Sequence, residues 1–151
     1  TGEDTLSLHD ALPILLAADG SPFTKKALAW LTVNQPLDAQ NDELIVLNVQ
    51  PPVPPRVKSV LGAEAVRAYH KDEALKVTAP IERFLKRHAL TSRVSWVVGH
   101  APDEILRLAQ REKVHQIVMG THGRSALGRA LLGSVAQGVV AGSTVPVLLV
   151  K

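Results

Sequence analysis

The chain has 151 residues, 46% of them hydrophobic and 21% charged, and its 17 Lys and Arg against 14 Asp and Glu give a formal net charge of +3. A chain of this length can bury roughly 70% of its unfolded surface, enough for one globular domain with its own core. The absence of cysteine excludes disulfides, thiolate catalysis and cysteine-ligated metal centres. Five scattered aromatic residues and dispersed basic residues argue against nucleic-acid binding.

The N-terminal segment Thr1 to Leu12 shows neither helical nor strand periodicity. We expect it to lie outside the fold, as a disordered segment or one introduced by cloning, with the domain running from residue 13 to 151. It lacks a basic stretch followed by a long apolar run, so it does not resemble a secretory signal. No apolar run approaches the ~20 residues that a membrane helix needs. The sequence therefore predicts a cytoplasmic protein with no membrane segment.

The first third of the chain predicts two strands and a helix. Ile14 to Ala18 is an apolar run of strand length. A helix should follow to about Val33, because Ser21 can cap it with Pro22 at its first position. The next apolar run, Leu44 to Val49, predicts the second strand.

A proline-rich loop and a long helix come next. Pro51 to Pro55 predicts a stiff polyproline-type loop. Apolar residues at near-helical spacing predict a helix from Ala63 to His88, with Pro80 inside it. Either this helix kinks at Pro80, or Thr78 caps a second segment after a break.

The rest of the chain predicts three strands and two helices. The strands are Val94 to Val98, Gln116 to Met119 and Val145 to Val150. One helix begins at Ala101, with Pro102 in its first turn and two acids near the positive end of its dipole. The other follows Gly133 and Ser134 and should end near Gly142, which is placed to form a left-handed cap. This alternation predicts an α/β domain with a mostly parallel sheet.

The strongest chemical signal follows the fourth predicted strand. Gly120 and Gly123 sit where the strand must turn, and Gly133 and Ser134 sit where a helix should begin. Glycine lets backbone amides approach a ligand closely, and amides at a helix start carry partial positive charge. The pattern therefore indicates a phosphate-binding loop, although the same glycines could serve only a tight turn and helix packing.

Two other phosphate-binding loops do not fit this stretch. Gly123 and Gly128 have the spacing of a P-loop. Arg129 and Ala130, however, stand where that loop needs Lys and Ser or Thr. Gly120 and Gly123 supply only half of a dinucleotide-binding fingerprint, and they follow the fourth strand instead of the first. No serine lies in a nucleophile elbow, and the six histidines show no metal-ligand spacing.

The glycine pattern resembles the G-x2-G-x9-G-S/T motif of the universal stress protein family, with nine residues between Gly123 and Gly133. The resemblance extends from Pro13 to Lys151. It implies a single-domain, Rossmann-like fold of the adenine nucleotide alpha hydrolase-like type. That fold is α/β, with an open parallel five-stranded sheet in the order 3-2-1-4-5 and helices on both faces. Members with the full motif bind ATP.

The resemblance implies an ATP site in which Mg²⁺ or Mn²⁺ is held mainly by the phosphates. The implied nucleotide-binding residues are Ala17, Ala18, Asp19, Val49, Met119, Gly120, Gly123, Arg124, Gly133, Ser134 and Val135. The first four would line the adenosine, the next two would flank the ribose and the rest would hold the phosphates. Asp19 would lie near the ribose and the metal, although it could instead only cap the first helix. Arg124 could equally be a solvated loop residue.

The expected place of this site agrees with a general rule. In open α/β sheets, ligands bind at the carboxyl ends of the strands where the strand order reverses, here between the first and fourth strands. Two residues depart from the family pattern. Asn48 stands where the family usually has His, a change that should be tolerated because the contacts there are largely backbone. Pro80 is unusual in the second helix and could alter the loop over the site.

The last predicted strand suggests assembly. Pro146 removes one hydrogen-bond donor from the strand, which is typical of an edge. Val147 to Val150 is nevertheless so apolar that an unpaired edge strand here would favour aggregation. We expect a homodimer that pairs Val145 to Val150 antiparallel across a two-fold axis, as the family commonly does.

The sequence thus predicts an ATP-binding universal stress protein. It would be a cytoplasmic dimer that binds an adenine nucleotide, signals to an unidentified protein partner and hydrolyses ATP slowly at most. Two alternatives stay open on the same fold: a nucleotide-independent interaction protein, and a nucleotidyl or phosphoryl transferase.

Overall fold

The computed structural model describes residues 13–34, 43–123 and 131–151. The helices and strands of this part are, in chain order, β1 (Ile14–Ala17), α1 (Pro22–Asn34), β2 (Leu44–Gln50), α2 (Pro55–Leu61), α3 (Ala63–Arg87), β3 (Ser92–Val98), α4 (Ala101–Arg111), β4 (Gln116–Gly120), α5 (Ser134–Gly142) and β5 (Val147–Val150). The segment Thr1 to Leu12 lies outside the described residues, so its exclusion from the domain stays a prediction.

The five strands form one open parallel sheet in the order β3-β2-β1-β4-β5. Ile14 of β1 is in register with Leu44 of β2 on one side and with Gln116 of β4 on the other. The order therefore reverses at β1, and the predicted topology is confirmed. β5 is an edge strand, as the proline before it indicated.

Helices cover both faces of the sheet, as predicted. Because side chains alternate along a strand, Leu16 and Val46 pack toward α1 and α3, whereas Leu15 and Ile45 pack toward α4 and α5. All four side chains are buried. Burial on both faces is why the central strands are almost continuously apolar in the sequence.

The short helix α2 was not predicted. The expected loop Pro51 to Pro55 extends only to Pro54, whose φ of −55° and ψ of 144° are typical of polyproline. Pro55 then occupies the first helical position, where its missing N–H costs nothing. No residue of α2 is buried, so the sequence carries no long apolar stripe that would have revealed the helix.

The long helix α3 continues through Pro80 without a break. The alternative in which Thr78 caps a second segment is therefore wrong, since Thr78 is buried inside the helix. Pro80 lies on the exposed side, where water can bond the carbonyl that loses its partner. None of the helices in the described part of the chain combines the length and the apolar character needed to cross a membrane.

The prediction that Gly142 forms a left-handed cap is wrong. Gly142 is the last residue of α5, and Ser143 follows in an extended conformation with φ of −77° and ψ of 137°. A Cβ placed on Gly142 would lie 2.6 Å from Cδ1 of Leu106. The glycine thus allows α5 to approach α4 closely, which is a packing role and not a conformational one.

Candidate functional site

A cavity of about 730 Å³ opens at the carboxyl ends of β1, β2 and β4. Ten of the eleven predicted residues line it: Ala17, Ala18, Asp19, Val49, Met119, Gly120, Gly123, Gly133, Ser134 and Val135. The eleventh, Arg124, lies outside the described residues. The structure therefore brings residues from four separate stretches of the chain to one place, at the point where the strand order reverses.

Asp19 follows β1 and holds the start of α1 with one carboxylate oxygen. Its Oδ1 accepts hydrogen bonds from the backbone N–H of Ser21 at 2.9 Å and from the hydroxyl of Thr24 at 2.8 Å. The predicted capping role of the Ser21 side chain is wrong. Its hydroxyl is buried and has no hydrogen-bond partner among the described residues, whereas the Asp19 carboxylate binds the backbone N–H of Ser21, the residue before the helix.

The other carboxylate oxygen of Asp19 is directed toward the glycine loop. A Cβ placed on Gly123 would lie only 2.7 Å from Oδ2 of Asp19, so the two residues face each other across the cavity wall. The capping alternative is thus confirmed for Oδ1, while Oδ2 stays available to a ligand. Any larger residue at position 123 would have to displace this carboxylate.

The other two glycines of the motif lie against backbone or a helix. Gly133 donates its N–H to the carbonyl of Thr121 at 2.7 Å, and a Cβ on it would lie 3.3 Å from Cα of His122. A Cβ on Gly120 would lie 2.3 Å from Cβ of Phe23, which packs there from α1. Both glycines therefore shape the fold as well as the cavity.

The N-terminus of α5 opens into the cavity. Gly133 occupies the N-cap in an extended conformation, and no side chain in the described part of the chain caps this helix. The following residues, Ser134, Val135 and Ala136, line the cavity. Amides in the first turn of a helix lack intrahelical partners and carry partial positive charge. This end of the cavity therefore suits an anion such as phosphate.

The opposite end of the cavity is mainly apolar. Its walls are formed by Val49 at the end of β2, by Pro51 and Pro52, and by Ile105 of α4. His100, the residue before α4, also lines this end. An apolar slot with little polar lining accommodates a planar aromatic ring better than a charged group. The two ends together fit a ligand that carries an aromatic ring on one side and an anion on the other.

Asn48 holds part of the cavity wall in place. From the sequence alone it was recognised only as a departure from the family pattern. It is 2% exposed, and its Nδ2 donates to the carbonyl of Ala18 at 2.8 Å. Its Oδ1 accepts from Nε2 of Gln50 at 2.7 Å. The side chain thus fixes the end of β1 just before Asp19. An amide inside an apolar strand was the available signal, since a buried amide needs hydrogen-bond partners.

His122 also lines the cavity, beside the glycines. Its Nδ1 lies 3.0 Å from the hydroxyl oxygen of Thr121, and its ring lies 5.5 Å from that of Phe23. Within the described ranges, no cluster of three or more His, Asp or Glu side chains could hold a metal ion. Oδ2 of Asp19 is a carboxylate oxygen that a cation in the cavity could contact together with oxygens of a bound molecule.

Comparison with known proteins identifies the family. The sequence model of the Universal stress protein family matches residues 12–151. A Thermus aquaticus protein described as the universal stress protein in QAH/OAS sulfhydrylase 3'region is 36% identical over 138 residues, which cover 91% of this chain and 97% of that protein.

Solved structures agree with this match. The structure of hypothetical protein MJ0577, from Methanocaldococcus jannaschii, has a TM-score of 0.77 and 30% identity, with 96% of this chain and 97% of that one covered. A universal stress protein in complex with cAMP has a TM-score of 0.54 and 25% identity, covering 93% of this chain and 96% of that one. The chain therefore belongs to the universal stress protein family.

Proposed function

We propose that the cavity binds an adenine nucleotide, ATP with Mg²⁺ or Mn²⁺, and that this chain is a nucleotide-dependent regulatory protein of the stress response. The observation that carries the proposal is that one end of the cavity has a glycine loop and a helix start that no described side chain caps, and the other end has an apolar slot. A nucleotide has the same two-ended character. The proposed setting is cytoplasmic, as the sequence predicts.

The phosphates would lie against the glycine end. There Gly123 and Gly133 leave room for them, and the first-turn amides of α5 and the Ser134 hydroxyl would donate hydrogen bonds. The ribose would lie beside Met119 and Gly120, in the middle of the cavity. The base would then lie in the apolar slot beside Val49. Each group of the ligand would therefore meet lining residues of matching chemistry.

The residues present fit a divalent cation that arrives with the nucleotide. A carboxylate beside phosphates is repelled unless a cation or a hydroxyl group lies between them. Oδ2 of Asp19 faces the glycine loop, so it can supply one oxygen while the phosphates supply others. Mg²⁺ is commonly held in this way, by one or two carboxylates and the phosphates of its ligand.

The relative in complex with cAMP supports an adenine nucleotide as the ligand. We expect regulation and not rapid turnover, because Asp19 and His122, the described carboxylate and imidazole beside the glycines, both have other roles. In this proposal Oδ2 of Asp19 contacts the cation. Asp19 holds the start of α1, and His122 lies within hydrogen-bond distance of Thr121. Release of ADP should therefore be far slower than about 1 s⁻¹, a common enzymatic rate.

The direct test is mass spectrometry of small molecules released when the purified protein is denatured, followed by calorimetric titration with Mg-ATP. We expect bound adenine nucleotide or micromolar affinity. Gly123→Val should weaken binding at least about 100-fold, because its side chain fills the phosphate space and displaces the Asp19 carboxylate. Thermal melting must show that the variant is folded. Folded wild-type protein with neither copurified nucleotide nor binding heat would contradict the proposal.

We also propose that β5 pairs with β5 of a second copy. It lies at the sheet edge, and its four apolar residues, Val147 to Val150, are only partly buried. Antiparallel pairing across a two-fold axis would satisfy the open edge and cover these side chains. Light scattering at micromolar concentration should give a mass near twice that of the 16.2 kDa chain. A monomer under those conditions would refute the dimer without touching the nucleotide proposal.

A further inference from the structure

A histidine and aspartate pair lies at the apolar end of the cavity. His100 precedes α4 and lines the cavity, while Asp103 lies in the first turn of that helix. Nδ1 of His100 is 2.9 Å from Oδ2 of Asp103. The His100 side chain is 73% exposed, so its imidazole is accessible to a ligand. The neighbouring side chains at that end, Val49, Pro51 and Ile105, offer no hydrogen bond.

The contact with Asp103 determines which nitrogen of His100 carries the proton. A carboxylate only accepts hydrogen bonds, so Nδ1 of His100 must donate. In the neutral imidazole, Nε2 is then left without a proton and acts as an acceptor. Asp103 is therefore a positioning residue, because it fixes both the tautomer and the orientation of the His100 ring at the edge of the cavity.

An acceptor at this end of the cavity distinguishes one class of base from another. Adenine presents an exocyclic amino group, which donates, whereas guanine and hypoxanthine carry a carbonyl oxygen at the same ring position. On the basis of the nucleotide binding proposed above, we infer that Nε2 of His100 accepts a hydrogen bond from the exocyclic amino group of adenine. His100 then selects ATP against purine nucleotides that bear a carbonyl group there, since two acceptors facing each other leave both unsatisfied.

The proposed role of His100 concerns the choice of base, and binding at the phosphate end of the cavity does not depend on it. His100 comes from the start of α4, and the glycine motif comes from the chain between β4 and α5. No side chain caps α4 by hydrogen bonding within the described residues, so truncation of His100 removes no helix-capping bond. The variant His100→Ala should therefore fold and should keep its phosphate contacts.

The test is a calorimetric titration at pH 8 with the magnesium salts of three nucleotides. These are ATP, purine riboside triphosphate, which lacks the amino group, and ITP, which carries a carbonyl in its place. Wild-type protein should bind them in that order of decreasing affinity, with ATP preferred to ITP by about tenfold, the factor expected for one hydrogen bond. In His100→Ala the preference should fall to about twofold or less.

The controls separate positioning from simple damage. His115→Ala removes another exposed histidine, which lies just before β4 at the opposite end of the sheet, and should keep the wild-type preference. Asp103→Ala should lower the preference because the tautomer is no longer fixed. Asp103→Asn should restore much of it, since the amide oxygen can still accept from Nδ1.

The possible failures are distinguishable. If wild-type protein binds ATP but His100→Ala keeps the full preference over ITP, the role of His100 is overturned and the nucleotide site stands. If wild-type protein prefers ITP, Nε2 does not face the amino group and the inference is likewise overturned. If none of the three nucleotides binds to folded wild-type protein, the proposed function and this inference fall together.

Discussion

The two ends of the parallel sheet are held together by different means. At the amino ends of β2 and β3, the Arg93 side chain pairs with Glu43 and with Glu112, whose Oε2 lies 2.9 Å from the Arg93 Nη2 atom. At the carboxyl ends, the contacts depend on glycines that leave no room for a Cβ, as at Gly120 and Gly123. Partly exposed ion pairs therefore stabilise the amino-end side of the sheet, and close packing at glycines stabilises the carboxyl-end side.

This difference separates stability from binding. Exposed ion pairs contribute little and are screened by salt, so changes at the amino ends should alter stability slightly and leave the cavity intact. Close-packed positions tolerate no added atoms, so changes at the carboxyl ends should have large effects. A substitution there should lower stability where the added atoms contact the fold, and should weaken binding where they enter the cavity.

The largest effect on stability is expected from Gly120→Ala. The added Cβ would lie 2.3 Å from Cβ of Phe23, so α1 must move away from β4, at a cost of about 3 kcal/mol in the free energy of unfolding. Chemical denaturation measures this. Gly99→Ala is a control, because its Cβ would meet the flexible side chain of Glu104, which can move. Equal denaturation midpoints for wild type and Gly120→Ala would show that the helix contact is not tight.

An intermediate effect is expected at Asp19, where stability and binding can be separated. Asp19→Ala removes the acceptor of the Ser21 and Thr24 hydrogen bonds and should lower the free energy of unfolding by about 1 kcal/mol. Asp19→Asn keeps one oxygen for these bonds and should melt close to wild type. Both should weaken Mg-ATP binding about tenfold or more in calorimetry. Undiminished affinity in Asp19→Asn would exclude the carboxylate as a ligand of the cation.

The smallest effect is expected from Arg93→Ala. Its hydrogen bond to Glu112 lowers the pKa of that carboxyl below its usual range. A carboxyl with a lowered pKa stabilises the fold at neutral pH, and that contribution is lost as the pH falls through the lowered value. Arg93→Ala should therefore lower Tm by roughly 1 to 3 °C at neutral pH. The difference should disappear in acid and shrink in high salt, with Mg-ATP affinity unchanged. A Tm difference that persists in acid would assign the effect to packing of the Arg93 side chain.

Most of the fold could be predicted from the sequence because its elements bury apolar surface. The continuous run at Ile14 to Ala18 and the Pro102 start of α4 each have a direct local cause, and both elements are present. The failures have causes that local sequence does not carry. No residue of α2 is buried, and the packing role of Gly142 depends on Leu106, which lies 36 positions earlier in the chain.

The site could be predicted where glycine spacing reveals it, and less well where side chains act on one another. The glycine spacing indicated Gly120, Gly123, Gly133 and Ser134, and the family resemblance implied the other predicted residues that line the cavity. Sequence spacing does not show that the two oxygens of Asp19 have different contacts or that Asn48 donates to Ala18. Both features depend on three-dimensional contacts. Metal-ligand spacing does not reveal the pair of His100 and Asp103, because their contact is a hydrogen bond between two exposed side chains.

The proline segment beside the cavity affects the thermodynamics of ligand capture. Pro51 and Pro52 line the cavity, and each has its φ angle fixed by its ring. This wall therefore loses little conformational entropy when a ligand settles against it, unlike a glycine-rich lid, which must become ordered. The apolar side of the cavity, where the base would lie in the proposed complex, is thus preorganised before a ligand arrives. Differences in affinity among related ligands should consequently be expressed mainly in their dissociation rates.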